Sequence, residues 1–132
     1  MLSQDQINFY QEHGYLHVPG VYDDEFLARL DEDLEWIMDT WAMHNKGWDG
    51  PWRKEYMDDE TEKVADLVAL NDMHLYSAAW TDAVRHETLL DAMCGLLGPN
   101  VEFHHTTLHC KPPGTGHPFP VHQDYAFYKH ND

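Results

Sequence analysis

With 132 residues, 42% of them hydrophobic, the chain is long enough for one domain of modest size with a folded core. Its formal net charge of −16 argues against nucleic acid or an anionic membrane surface as a partner, because both require a basic surface. There is no apolar run of about 20 residues and no secretory signal. The two cysteines, Cys94 and Cys110, lack CxxC spacing, so we expect a cytoplasmic protein with free thiols and no membrane span.

The N-terminal residues carry the start and stop signals of a short helix. Ser3-x-x-Gln6 has the form of a capping box, and Gly14 is typical of a helix end. Residues 15–18 mix apolar and polar positions and precede a Pro-Gly pair, which predicts a short strand there.

The strongest helix signal follows Asp23 or Asp24, either of which can serve as the N-cap. Apolar residues recur after it at spacings of three and four, as in a helix with one buried face: Leu27, Leu30, Leu34, Ile37, Met38 and Trp41. We assign this stripe to the core and not to a ligand site.

The middle of the chain gives mixed signals. Residues 44–62 contain glycine, proline and two tryptophans, and they predict an ordered loop whose tryptophans either shield a pocket or pack on the core. Residues 64–75 fit a strand, although part of this segment also suits a helix. Ser77 can cap a short helix through Val84, and a further helix from about Glu87 to Leu97 should end at the following Gly-Pro pair.

Charge and histidine are unevenly distributed along the chain. Residues 103–132 hold two of the 24 acidic residues but six of the eleven histidines. This composition suggests a region of metal chemistry that follows an acidic helical scaffold.

Residues 101–111 are rich in strand-forming side chains and stop at a Pro-Pro-Gly sequence. Alternation along a strand would place five side chains on one face: Phe103, His105, Thr107, His109 and Lys111. Such a face is too polar for an ordinary core, and it suits either the wall of a polar cavity or solvent.

The sequence His122-x-Asp124 is the centre of the predicted site. On a strand, residues two apart project to the same side, so an imidazole and a carboxylate can converge on one ion. With a histidine from elsewhere they would complete the two-histidine, one-carboxylate triad of non-haem Fe(II) oxygenases. An H-x-D pattern is common by chance, so its weight depends on the residues around it.

The order of the motifs resembles the N-terminal portion of a known family. A capped helix ending His13-Gly14-Tyr15-Leu16 is followed by Val18-Pro19-Gly20-Val21 and an amphipathic helix. Next come Leu97-Gly98-Pro99-Asn100, then Lys111-Pro112-Pro113-Gly114, then His122-Gln123-Asp124. This series is similar to the phytanoyl-CoA dioxygenase family of Fe(II)/2-oxoglutarate-dependent oxygenases, over essentially the whole chain.

The resemblance implies an α+β fold with a double-stranded β-helix (jelly-roll, cupin-like) core and helices packed outside it. We expect residues 1–132 to form a single domain, with a helical prelude at 1–100 and the first core strands at 101–132. The family's third iron ligand and its 2-oxoglutarate-pairing arginine lie far downstream of the H-x-D motif, and His130 is too close to be that ligand. We therefore expect part of a longer domain, inactive alone, whose exposed strand edges favour self-association.

The resemblance also implies roles for individual residues. His122 and Asp124 would be iron ligands, Thr107 matches a position that contacts 2-oxoglutarate, and His105 and His109 would line the same cavity. Lys111 could stabilise anionic groups of cofactor or substrate, although an exposed lysine at a strand end is the simpler account. Asp124 distinguishes the chain from halogenating relatives, in which a small residue replaces the carboxylate.

The expected function is therefore that of an Fe(II)/2-oxoglutarate-dependent dioxygenase. It would use O2 to hydroxylate an unactivated C–H bond of a small metabolite or lipid-like substrate and convert 2-oxoglutarate to succinate. Two alternatives remain: a non-catalytic metal-binding module that uses His104, His105 or His109 with His122, and a truncated scaffold whose H-x-D motif has no function.

Overall fold

The computed structural model describes residues 1–45, 53–114, 119 and 121–124. In these residues the chain is α+β, with helices and three short strands in the order β1-β2-β3 within one sheet. The elements are α1 (Gln4–His13), α2 (Asp24–Thr40), β1 (Met43–Asn45), α3 (Arg53–Tyr56), α4 (Asp59–Val64), β2 (Leu67–Asn71), a 3-10 turn (Met73–Leu75), α5 (Ala78–Val84), α6 (Glu87–Leu97) and β3 (Thr107–Cys110). Within this described part, no helix combines the length and apolar character that crossing a membrane requires.

Contacts divide the chain into two compact units. The first contains residues 1–42 and 70–108, and the second contains residues 43–69 and 109–132. Both cysteines are free, as expected: Cys94 is exposed and Cys110 is half-buried.

Local signals specify the helix ends. Ser3 and Gln6 form the predicted capping box of α1, which ends at Gly14 with φ of 78°. Asp23, one of the two predicted caps, accepts a hydrogen bond of 2.8 Å from the Phe26 backbone N–H. Helix α6 has the predicted bounds and is followed by Gly98.

Helix α2 contributes to two hydrophobic clusters in the first unit. Leu30 packs with Ala79 and Ala83 of α5, and Tyr22, Phe26 and Trp80 surround that cluster. Ile37 is completely buried and packs with Leu70 and Met73. The predicted stripe is therefore correct at its centre, but it is narrower than expected because Leu27 and Trp41 are 44% and 47% exposed.

A buried serine connects α2 and α5. Ser77 caps α5 as predicted, since its hydroxyl accepts a hydrogen bond of 3.1 Å from the Trp80 backbone N–H. The same hydroxyl donates to the Asp33 carboxylate of α2. Because the hydroxyl donates to a charged acceptor, its burial does not carry the free-energy cost of a buried polar group without a hydrogen bond.

Two predictions for the connecting segments need correction. Residues 15–18 form no strand, and Tyr15 is 63% exposed. The predicted loop at 44–62 contains the end of β1 and helices α3 and α4, whereas Trp48 and Trp52 lie outside the described residues. Local capping explains α4, because the Thr61 backbone N–H and hydroxyl bond to Asp58 and lower the pKa of this carboxyl below its usual range.

The ambiguous segment 64–75 contains a strand, and the helical alternative is wrong there. Leu67–Asn71 forms β2, which pairs antiparallel with β1 so that Met43 lies opposite Ala69 and Asn45 opposite Leu67. Leu67, Val68 and Leu70 are buried. A short apolar run of this kind does not distinguish a buried strand from a helix by periodicity alone.

Two glycines near the end of α6 should respond oppositely to alanine. Gly95 is helical, and an added Cβ would meet the Leu2 side chain at 3.5 Å, an ordinary contact. Gly98 has φ of 96° and ψ of 177°, a conformation that is restricted to glycine. We expect Gly95→Ala to raise the free energy of unfolding by roughly 0.5–1 kcal/mol and Gly98→Ala to lower it by about 1–3 kcal/mol. Urea unfolding of the two variants measures both changes, and equal shifts would contradict this account.

Candidate functional site

The side chains of His122 and Asp124 lie against each other. The His122 Nε2 is 3.4 Å from the Asp124 Oδ1, and the two side chains are 31% and 79% exposed. The predicted strand is absent, because residues 121–123 have no regular structure and Asp124 is in a 3-10 conformation. Convergence of the two side chains therefore does not require a strand.

The separation of these two atoms fits binding to one cation. Two ligand atoms at about 2.1 Å from one ion, in adjacent octahedral positions, are about 3 Å apart. The observed 3.4 Å is close to this distance, and an imidazole with a carboxylate is a donor set typical of non-haem iron. Within residues 1–45, 53–114, 119 and 121–124, no three His, Cys, Asp or Glu side chains form a group that could hold a metal ion. The described residues therefore bring together one imidazole and one carboxylate at this point, and no third donor of these types.

Strand β3 shows the predicted alternation over four residues. Thr107 and His109 are exposed, whereas Leu108 and Cys110 are half-buried. Leu108 packs against the cluster that contains Ile37. The polar face of the strand therefore carries Thr107 and His109, as the sequence indicates.

The predicted strand from 101 to 111 is nevertheless too long. Residues 101–106 have no regular structure. The Nδ1 atoms of His104 and His105 are in direct contact, with their ring centroids 4.6 Å apart. Adjacent side chains on a strand point to opposite faces, so this contact is incompatible with an extended strand. His105 consequently is not part of the strand face that carries Thr107.

Phe119 joins two of the predicted cofactor residues in the second unit. Its ring centroid is 5.2 Å from that of His109, and the Lys111 Nζ lies 5.5 Å from the same centroid. A lysine ammonium at this distance from an aromatic face is attracted by a cation–π interaction. Phe119 was not predicted as a site residue, and the only signal for it in the sequence is its position between two prolines, which favours an extended backbone.

A second histidine–carboxylate pair lies near the sheet. The His44 Nδ1 of β1 is 2.8 Å from the Asp66 Oδ2, next to β2. These side chains are 70% and 31% exposed. Because this pair has the same chemical composition as His122 and Asp124, it provides a matched control for their substitution.

The sequence around the His122-x-Asp124 motif matches a known protein family. The profile of the phytanoyl-CoA dioxygenase (PhyH) family matches residues 10–132, which include every candidate residue described above. The chain belongs to the phytanoyl-CoA dioxygenase family. The family resemblance predicted from the order of the motifs is therefore confirmed.

One curated relative of this PhyH-family chain is a protein of Stutzerimonas stutzeri named "probable alpha-ketoglutarate-dependent hypophosphite dioxygenase". The two are 30% identical over 128 residues, which is 97% of this chain and 43% of the relative. The chain thus spans less than half the length of this relative. No solved structure shows a significant match.

Proposed function

We propose that the whole protein is an Fe(II)- and 2-oxoglutarate-dependent dioxygenase in which His122 and Asp124 are two of the three protein ligands to iron. The observation that carries the proposal is the 3.4 Å approach of the His122 Nε2 to the Asp124 Oδ1, within a chain that belongs to the PhyH family. The name of the Stutzerimonas stutzeri relative, an alpha-ketoglutarate-dependent dioxygenase, supports the same reaction class.

When bound, ferrous iron would couple the reduction of O2 to two oxidations: the decarboxylation of 2-oxoglutarate to succinate and CO2, and the oxidation of the substrate. His122 would hold the iron through its imidazole and Asp124 through its carboxylate. The family resemblance implies a third ligand, a histidine far downstream of the H-x-D motif. This donor set leaves the remaining positions for small molecules.

Four further side chains are proposed to serve 2-oxoglutarate. The Thr107 hydroxyl is exposed on β3 and can donate a hydrogen bond to a carboxylate. The Lys111 ammonium lies over the Phe119 ring and would offer a positive charge to the same dianion, and the His109 ring packs against the same Phe119 ring. His105 lies outside β3 and contacts His104, so its proposed place in the wall of the cavity rests on the family resemblance alone.

The substrate is proposed to be small. A chain with eight Lys and Arg among 132 residues and a net charge of −16 is poorly suited to a polyanionic handle such as coenzyme A. Hydroxylation of a C–H bond of a small metabolite or lipid-like molecule is the first candidate reaction. Oxidation of hypophosphite is the second, and it is favoured by 30% identity to the relative over nearly the whole chain.

Residues 1–132 are proposed to be part of one jelly-roll domain, with residues 1–100 as its helical prelude and 101–132 as its first core strands. Membership of the PhyH family supports this arrangement. Cytoplasmic location and self-association through strand edges remain predictions.

Anaerobic titration of the whole protein with Fe(II) and 2-oxoglutarate tests the proposal. We expect the weak visible charge-transfer band of an iron–2-oxoglutarate chelate, and its loss in Asp124→Ala but not in Asp66→Ala, which removes the carboxylate of the matched pair. Fe(II) binding without the band would instead support a metal-binding module. Binding of neither would leave a scaffold whose motif has no function.

A further inference from the structure

Thr106, the residue before β3, is held at two points by the turn that follows β2. The Asp72 backbone N–H donates a hydrogen bond of 2.7 Å to the Thr106 carbonyl oxygen. The His74 Nδ1 and the Thr106 Oγ1 are hydrogen-bonded at 3.2 Å in a partly buried environment. Both the backbone and the side chain of Thr106 are thereby fixed by residues more than thirty positions earlier in the chain.

The turn that holds Thr106 is itself constrained. Asp72 has φ of 58°, in the left-handed region that aspartate tolerates better than most residues, and its carbonyl accepts from the Leu75 N–H at 2.8 Å. Met73 is buried in the cluster with Ile37. The Thr81 hydroxyl of α5 donates to the His74 carbonyl. The turn is therefore anchored to the core and to α5.

The His74 ring makes a further contact with the segment that it holds. Its centroid is 4.9 Å from that of Phe103, with the two rings nearly perpendicular. This edge-to-face geometry is favourable for aromatic rings. His74 thus contacts both Phe103 and Thr106 within the irregular stretch that leads into β3.

From these contacts we infer that His74 is a positioning residue for 2-oxoglutarate binding, acting through Thr106 on the neighbouring Thr107. Burial alternates from residue 106 onward, with Thr106 half-buried, Thr107 exposed and Leu108 half-buried, so holding the Thr106 side chain against His74 keeps the Thr107 side chain on the opposite, exposed side. The inference rests on the proposed function, in which Thr107 contacts 2-oxoglutarate.

Steady-state kinetics of His74 variants of the whole protein test the inference. We expect His74→Ala to raise the KM for 2-oxoglutarate by about tenfold and to change kcat much less, because the iron ligands are untouched. His74→Asn should restore the KM to within about threefold of the unsubstituted protein, since its amide group lies as many bonds from Cβ as Nδ1 does. His74→Gln places the amide one bond further out and should not restore it.

A control variant separates positioning from general stability. Tyr22→Phe removes a partly buried hydrogen bond of 3.0 Å to the Ala83 carbonyl in the same unit. It should lower the unfolding midpoint without changing the KM for 2-oxoglutarate. Amide exchange at residues 107–110 should accelerate in His74→Ala and not in Tyr22→Phe.

The outcomes distinguish this inference from the proposed function. If the unsubstituted protein shows neither 2-oxoglutarate binding nor turnover, the proposed function fails and the role of His74 in cofactor binding fails with it. If the unsubstituted protein is active and His74→Ala leaves the KM within about twofold, the inference alone is overturned. Equal KM values for the asparagine and glutamine variants would also overturn it.

Discussion

In the whole protein, replacing His122 or Asp124 by alanine should lower the rate of 2-oxoglutarate turnover at least about a hundredfold, to a level close to background. Each substitution removes one of the two converging donor atoms, 3.4 Å apart, that are proposed to bind iron. The fold should be largely retained because the two side chains are 31% and 79% exposed and neither belongs to a hydrophobic cluster of the described residues. Succinate formation measures the effect, and circular dichroism checks the fold.

The second histidine–carboxylate pair provides the control for these variants. His44→Ala and Asp66→Ala remove the members of a pair with the same chemistry, 2.8 Å apart. We expect both to retain turnover within about threefold of the unsubstituted protein, because an exposed pair of this kind contributes little to stability. Substantial turnover in both His122→Ala and Asp124→Ala would refute the assignment of the iron ligands.

The largest expected effect on stability is that of Ile37→Ala, which should lower the free energy of unfolding by about 2–5 kcal/mol. Ile37 is completely buried, and it packs with Leu70 and Met73 and against the partly buried Leu34, Ala42, Trp80 and Leu108. Removing three carbon atoms there costs their transfer free energy and leaves a cavity that the surrounding helices close incompletely. Urea unfolding of the two proteins gives the difference.

Leu27→Ala on the same helix is the matched control. Leu27 is 44% exposed, so truncation of its side chain removes less buried area and leaves a smaller cavity. We expect a loss below about 1 kcal/mol. Similar losses of unfolding free energy for Ile37→Ala and Leu27→Ala would mean that α2 does not bury the face that carries Ile37.

The helices could be predicted from the sequence because their signals are local. Ser3 with Gln6, Asp23 and Ser77 each cap a helix through a residue three positions further on. The strands were predicted less accurately than the helices, because a strand forms only by pairing with a partner elsewhere in the chain. Residues 15–18 have suitable side chains and form no strand, whereas β1 is exposed at Met43 and forms by pairing with β2.

The site shows the same division between local and distant signals. The side chains of His122 and Asp124 lie close together as predicted, but the strand that was invoked to bring them together is absent, and their role as iron ligands stays a prediction. The contact of Phe119 with Lys111 joins residues that are 8 positions apart, and the contact of His74 with Thr106 joins residues that are 32 positions apart. No local sequence pattern indicates either contact, so neither could be predicted from one sequence.

The local caps have a consequence for the order in which the protein forms during synthesis. The ribosome releases the N-terminal residues first, and domains generally begin to fold in that direction. Helices capped by Ser3, Asp23 and Ser77 can form from contacts within the newly released segment, before His122 and Asp124 have been translated. We therefore expect the histidine-rich residues 103–132 to be synthesised after these helix start signals, which would shorten the time during which their side chains are exposed with no folded partner.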